Sequence, residues 1–265
     1  MVERKVYASI PGIAERIRLI DGFQLMDEPD YDTVIVYPPR RDLHKYITYP
    51  IFPVISPLEY KIRGGKDRQY GIFDEYGIPY PYTVILDNVN QALVANIEFP
   101  IVVKRTKGSG GRAVWLCNNS NKYRDVLRNF RKDEKVILQE VIPKGDRDAR
   151  VVVHRGEVYA AYWRVNPYQF QTNVAQGAWI VPCDDADILR MCRNMSRNLG
   201  LRLNSWDVVR DVKTGQLYVL ECQIGFGTKG IAEMGLETDL ITLELKYLRD
   251  NWESVIGSIQ HFTVL

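Results

Sequence analysis

An α+β fold is predicted for this chain by three observations. Apolar strand patterns recur along its length, helical segments are interspersed between them, and several strands follow one another across turns, as in mixed or antiparallel sheets. The clearest pair is Trp206-Asp207-Val208-Val209 and Leu217 to Gln223. Thr214-Gly215 lies between these β-branched and aromatic runs, so they read as a hairpin.

In chain order, residues 1–60 read as a small α/β unit with a helix over Pro11 to Ile20 and a strand over Thr33 to Tyr37. Prolines 38, 39, 50, 53 and 57 then exclude long helices. A helix is expected over Lys61 to Tyr76, stopped by Gly77-Ile78-Pro79. Next come a strand at Thr83 to Leu86, a short helix at Val89 to Asn96, and strands at Phe99 to Lys104 and Ala113 to Cys117. Lys122 to Arg131 is a basic helix, and Val136 to Val141 a strand. Asp148 to Val153 and Val158 to Arg164 form strands about a turn at His154 to Glu157. A polar loop over 170–177, a helix over Asp187 to Leu199 stopped by Gly200, and an amphipathic helix over Leu236 to Ile256 complete the reading. The expected divisions are 1–60, 61–140 and 141–265.

Composition narrows the function. Thirty-five basic and 33 acidic residues leave a formal charge of +2, which gives no support for a nucleic-acid footprint. No apolar run approaches the roughly 18 residues of a membrane span. Cys117, Cys183, Cys192 and Cys222 make no C-x-x-C pair, and His44, His154 and His261 are scattered. Zinc, a disulfide scaffold and histidine-centred catalysis are therefore disfavoured. The absence of an apolar leader pattern at Met1-Val2-Glu3-Arg4-Lys5 adds an expectation of a reducing, cytoplasmic setting.

The chemistry lies in the charges that interrupt greasy strands. Antiparallel pairing of the hairpin brings Asp207 near Glu221 and Gln223, and the latter two share a face. Two carboxylates and an amide make a hard-oxygen set suited to Mg²⁺ bridging to phosphates. Lys107-Gly108-Ser109-Gly110-Gly111-Arg112 is a glycine-rich loop able to close backbone N–H groups around phosphates. It leads to a strand and lacks P-loop spacing. Asp148 and Arg150 alternate onto one face, and Arg164 on the partner strand is free to join them.

The joint order of these motifs over about residues 54–231 resembles the ATP-grasp carboxylate–amine ligases, most closely the RimK-type branch of ribosomal-protein glutamate ligases. That resemblance implies two α+β subdomains clamping ATP, with a short α/β domain before them. Lys66 and Lys104 are similar to the family's two phosphate-binding lysines, and Gly108, Ser109, Gly110 and Gly111 to its phosphate-covering loop. Glu140, Val141 and Ile142 resemble the linker that offers groups to adenine. Asp148 falls at the ribose-contacting position and Arg150 at a charge-stabilising one, while Arg164 and Asn173 fall at positions beside the reacting phosphoryl group. Asp207 and Glu221 match the metal carboxylates. The chain departs from the family pattern twice: Gln223 replaces the usual asparagine of E-x-N, and Ile224-Gly225-Phe226-Gly227 lacks the x-P-G proline.

The resemblance further implies ATP with two Mg²⁺ ions, Mn²⁺ being able to substitute. The implied reaction forms an amide from a carboxylate and an amine through an acyl phosphate, releasing ADP and phosphate. The substrates would be an amino acid, a peptide or a protein C-terminus, and the apolar C-terminal helix offers a surface for a homo-oligomer. Two alternatives stay open: a nucleotide-binding sensing or scaffold module without ligation, and an ATP-grasp phosphotransferase.

Overall fold

A computed structural model describes residues 4–38, 40–46, 48–53, 56–108 and 110–259. In chain order these contain β1 (Lys5–Tyr7), α1 (Pro11–Arg18), β2 (Gln24–Leu25), β3 (Val34–Val36) and β4 (Ile51–Phe52). Next are α2 (Pro57–Arg63), α3 (Lys66–Glu75), β5 (Thr83–Leu86), α4 (Val89–Val94), β6 (Ile101–Arg105) and β7 (Val114–Cys117). They continue with α5 (Ser120–Leu127), β8 (Val136–Glu140), β9 (Arg147–His154), β10 (Glu157–Val165) and β11 (Trp179–Pro182). The last are α6 (Ala186–Asn198), β12 (Leu203–Arg210), β13 (Leu217–Gln223), α7 (Lys229–Glu233), α8 (Leu240–Asp250) and α9 (Trp252–Ile259). The chain divides into two units, residues 1–55 with 237–265, and residues 56–236.

The first unit holds a parallel sheet ordered β2-β1-β3-β4. Val34, Ile35 and Val36 are all fully buried, the continuous apolar run of a parallel strand covered on both faces. Ile13 and Ile17, four apart on α1, join Leu245, Leu248, Trp252 and Val255 in its core. The single helix expected over Leu236 to Ile256 is two helices. Asp239 caps the first through the N–H groups of Ile241 and Thr242. Asn251 ends it by donating both its backbone and its side-chain N–H to the Tyr247 carbonyl, each at 3.0 Å. Residues from 237 thus pack with the N-terminal segment, whereas the sequence reading groups them with 141–236.

The second unit is built on two antiparallel sheets, ordered β11-β10-β9-β12-β13 and β5-β8-β6-β7. Ala149, Val151 and Val153 of β9 alternate into one core with Trp206 and Val208 of β12, against Ile188, Cys192 and Met195 of α6. Alternation then presents Asp148, Arg150 and Asp207 on the opposite face. Fully buried Trp206 donates its indole N–H to Ser196 Oγ at 2.8 Å, so the core carries no orphaned indole there. Val103 and Leu138 of the smaller sheet pack on α4 and α5 through Ala92, Tyr123, Val126 and Leu127.

One expected helix in this unit is also broken. Lys61 to Tyr76 spans the end of α2, a break at Gly64-Gly65, and α3. Ser56 and Glu59 form a capping box that starts α2, with Ser56 Oγ accepting from Glu59 N–H at 3.1 Å and Glu59 accepting from Ser56 N–H at 3.0 Å. Gly65 adopts φ +144, where a side chain would be strained, and its Cβ would meet Asp67 Oδ1 at 2.7 Å. The break lets the N–H of Lys66 bond to the Thr106 carbonyl at 2.9 Å, fixing where that lysine starts α3. Strand β11 pairs with β10 immediately after the polar loop and was absent from the sequence expectation.

Candidate active site

The larger sheet sets out the charged residues by register. Arg164 pairs with Asp148 across β10 and β9, Tyr162 with Arg150, and Asp207 of β12 lies opposite both Arg150 and Glu221. A bulge between β12 and β13 lets Val219 and Cys222, three apart, both enter the core. Leu220, Glu221 and Gln223 consequently all line the cleft.

Asp148, Arg150, Arg164 and Asp207 form one buried ionic cluster. Arg150 donates to both Asp207 oxygens, Nε to Oδ1 at 2.8 Å and Nη2 to Oδ2 at 2.9 Å. Arg164 donates from Nε to Asp148 Oδ1 at 2.7 Å, and its Nη2 lies 3.1 Å from Asp207 Oδ2. Thr172 Oγ1 donates to the other Asp148 oxygen. Burial alone would raise the Asp207 carboxyl, but the charges of Arg150 and then Arg164 hold it well below the usual carboxylate range. Burial likewise opposes the Arg164 charge and is overruled by Asp148 and Asp207. Asp207 and Arg164 therefore each hold the other's charge despite burial.

The facing wall supplies lysines. Lys66 Nζ donates to the Gly108 carbonyl at 3.0 Å and pairs with Glu221 Oε1 at 3.1 Å. Lys104 on β6 is buried, and its side chain has no hydrogen bond or ion pair among the described residues. Burial pulls its pKa down to about 8, partly offset by Glu221 and reinforced by Lys66. Gly108 sits at φ +133, and a Cβ there would lie 2.4 Å from Ala113 Cβ. Gly110 and Gly111 also take positive φ, at 65° and 76°. The loop they form is met by the polar 170–177 segment: Gln176 Nε2 donates to the Gly110 carbonyl at 3.1 Å, and Asn173 abuts Gly111. Ser109 lies outside the described residues.

One cleft thus gathers Lys66, Lys104, Gly108, Gly110, Gly111, Glu140, Ile142, Asp148, Arg164, Asn173, Asp207, Glu221 and Gln223. Three of the expected positions are already engaged within the protein. Arg150, on the same face of the sheet, is not among the residues lining the cleft; it donates to Asp207 and reaches Gln223 Oε1 at 3.4 Å. Asp148, expected at a ribose-contacting position, lines the cleft with one oxygen accepting from Arg164 and the other from Thr172. Glu140 turns its carboxylate to the backbone N–H of Tyr82 at 2.7 Å, and Val141 does not line the cleft. Sequence reasoning missed Lys144, Phe170 and Thr172, which also line it, with Lys144 Nζ 5.7 Å from the Phe170 ring centroid. Burial lowers the Lys144 pKa, and Asp148 opposes that shift. Val102, Val209, Leu220 and Ile142 give the cleft an apolar part suited to a planar ring.

The donor set fits a divalent cation: Asp207 and Glu221 are opposite in register, with the Gln223 amide oxygen beside them. At present protein cations neutralise these oxygens, Arg150 and Arg164 at Asp207 and Lys66 at Glu221. Among the described residues no group of three or more His, Cys, Asp or Glu side chains is placed to hold a metal ion. Among them, too, no helix is long and apolar enough to cross a membrane.

The family model for the RimK-like ATP-grasp domain matches residues 66–245. The chain is 26% identical over 194 residues to the coenzyme gamma-F420-2:alpha-L-glutamate ligase of Methanococcus maripaludis, covering 70% of this chain and 67% of that enzyme. It is 27% identical over 224 residues to the tetrahydromethanopterin:alpha-L-glutamate ligase of Methanocaldococcus jannaschii, covering 79% and 76%. The ATP-complexed D-alanine–D-alanine ligase of Bacillus anthracis has the same fold, with a TM-score of 0.61 at 14% identity, covering 96% of this chain and 99% of that one.

Proposed function

Because this chain belongs to the RimK-like ATP-grasp family, it is an ATP-dependent ligase that joins a carboxylate to an amine, and we propose how its residues share that work. The observation that carries the assignment is the convergence in one cleft of two buried lysines, a glycine-rich loop and the Asp207/Glu221/Gln223 set, facing Arg164.

ATP lies with its ring between Val102, Ile142, Val209 and Leu220 and its phosphates beneath the glycine loop. Lys66 and Lys104 hold those phosphates, and loop N–H groups approach them where glycine permits positive φ. In the first step a substrate carboxylate oxygen attacks the γ-phosphorus. The new P–O bond forms as the bond to the β-phosphate oxygen breaks, and ADP departs. In the second step the amine attacks the acyl carbon, the C–O bond to phosphate breaks, and phosphate leaves with the electron pair while the nitrogen loses a proton. Arg164 faces both steps and stabilises the transferring phosphoryl group and the later oxyanion. Asp148 and Thr172 fix the orientation of Arg164, and Arg150 fixes Asp207. Mg²⁺, held by Asp207, Glu221 and Gln223, would neutralise phosphate charge when bound.

The amine substrate is an acidic amino acid, the class named for both methanogen relatives as glutamate. The test is incubation with Mg-ATP, L-glutamate and a panel of carboxylate acceptors, following ADP and the mass of the products. Formation of ADP together with a condensation product establishes the ligase. Nucleotide binding without ADP or product would move the reading to a sensing module. A stable phosphorylated product without an amide would mark a phosphotransferase.

A further inference from the structure

A second chamber of about 250 Å³ opens beside the nucleotide cleft and shares Lys66, Gly108, Glu221 and Gln223 with it. The Lys66–Glu221 ion pair is part of their common wall. On the far side of that wall lie Arg63, at the end of α2, and Lys107, just beyond β6. Both side chains are exposed, and neither has a hydrogen bond or ion pair among the described residues. Arg63, Lys66 and Lys107 thus stand against the single carboxylate of Glu221, a surplus of positive charge that nothing in the fold consumes.

The chamber's frame is fixed while its cations are not. Gln69 is buried; its Nε2 donates to the Ile62 carbonyl at 3.2 Å and its Oε1 accepts from the N–H of Cys222 at 3.0 Å. That one amide ties α2, α3 and β13 together across the chamber. Lys66 N–H is anchored on the Thr106 carbonyl, which holds the segment bearing Lys107 against the start of α3. A rigid frame carrying two uncommitted cations favours an anion of defined size over diffuse electrostatic attraction.

We propose that this chamber binds the carboxylates of the acidic amino-acid substrate, with Arg63 and Lys107 as its specificity-determining residues. The proposal rests on the ligase reading and adds to it the place from which the amine arrives. The carboxylates lie toward Arg63 and Lys107, and the amino group points toward the Glu221–Gln223 edge, where the chamber meets the cleft. The nitrogen then faces the acyl phosphate, while its charged groups stay out of the phosphate-binding lysines. A neutral amide in place of the side-chain carboxylate leaves one cation unpaired and is discriminated against.

The test is calorimetric titration of L-glutamate and L-glutamine into the full chain loaded with Mg²⁺ and a non-hydrolysable ATP analogue. Glutamate should bind at least tenfold tighter than glutamine. Arg63→Gln with Lys107→Gln should erase that preference, and Arg63→Gln alone should weaken it while leaving the affinity for the ATP analogue within about twofold. Both side chains are exposed, so the double variant is expected to fold, and circular dichroism checks that it does. No glutamate binding to the wild type, equal binding of the two amino acids, or a preference that survives the double substitution would each overturn the proposal. So would a loss confined to the ATP analogue, which would assign both cations to the nucleotide. Failure of the ligase reading looks different: glutamate binds and the double variant loses it, yet no acceptor yields ADP.

Discussion

The two walls of the cleft handle charge in opposite ways. On the larger sheet, Asp148, Arg150, Arg164 and Asp207 are buried and mutually paired, so that wall is electrostatically complete without any ligand. On the lysine wall, Lys66 and Lys104 face the cleft with Glu221 as their near carboxylate, and Lys104 has no direct side-chain partner among the described residues. The first wall is assembled by folding. The second pays a desolvation cost in the free protein that a polyphosphate would relieve. The contrast separates residues whose removal should unfold the protein from residues whose removal should only empty it.

The sharpest way to break this comparison is Asp207→Asn. Removing that charge leaves Arg150 without a carboxylate partner and Arg164 with Asp148 alone, and losing one partner from a buried cluster costs about 3–5 kcal/mol. Urea denaturation should show a loss of that order; a loss below about 1 kcal/mol would mean the cluster is not the electrostatic keystone of its wall. The counterpart is Lys104→Met, which removes an unpaired buried charge of similar length. Its stability at pH 7 should equal or exceed that of the wild type, while ATP affinity falls tenfold or more, about 1.4 kcal/mol. A destabilised variant that still binds ATP would reverse the assignment.

The paired wall was the more legible of the two in the sequence. Alternation along β9 and β10 already put Asp148, Arg150 and Arg164 within reach of one another, because strand period and register are local rules. Glu221 was placed correctly near Asp207, yet the means was hidden. A bulge turns Glu221 toward the cleft, and regular alternation from core-facing Val219 would have pointed it inward. The Gly64-Gly65 break is hidden in the sequence because the apolar spacing of α2 and α3 reads as continuous, although Ser56-Pro57 with Glu59 carries the start signal. Lys144, Phe170 and Thr172 sit in loops, where neither period nor pairing says which way a side chain turns. The terminal helices showed an apolar face but could not show that their core lay with residues 4–53.

The difference between the walls can also be sharpened by pH. With a pKa near 8 in the free protein, Lys104 is charged at neutral pH and discharges as pH rises through that value. Glu221 and Asp207 favour its charge, while Lys66 opposes it. Because the folded value lies below the unfolded value of roughly 10.4, the unfolded chain binds more protons between the two. Lys104's contribution to stability therefore rises with pH across that window. ATP affinity runs the other way and should weaken above about pH 8, approaching tenfold per pH unit if one proton is coupled to binding. Calorimetry between pH 7 and 9 measures it, and Lys104→Met should flatten the profile. An equally steep decline in that variant would place the titrating group elsewhere.

The smallest expected effect lies where the walls meet through the loop. Gly111 holds φ +76, and a Cβ there would come within 2.5 Å of Asn173 Oδ1. Gly111→Ala therefore combines left-handed strain, on the order of 1 kcal/mol, with displacement of a side chain from the polar 170–177 segment. Neither ionic wall is touched, since Arg164 keeps Asp148 and Lys66 keeps Glu221. Global stability should fall by about that amount, while KM for ATP rises a few-fold because the loop no longer covers the phosphates in one geometry. Paired measurements on Gly111→Ala and Asn173→Ala decide whether the loop acts through this contact. If Asn173→Ala restores the ATP affinity lost in Gly111→Ala, the clash is the cause. If it does not, the backbone conformation of the glycine itself shapes the phosphate site.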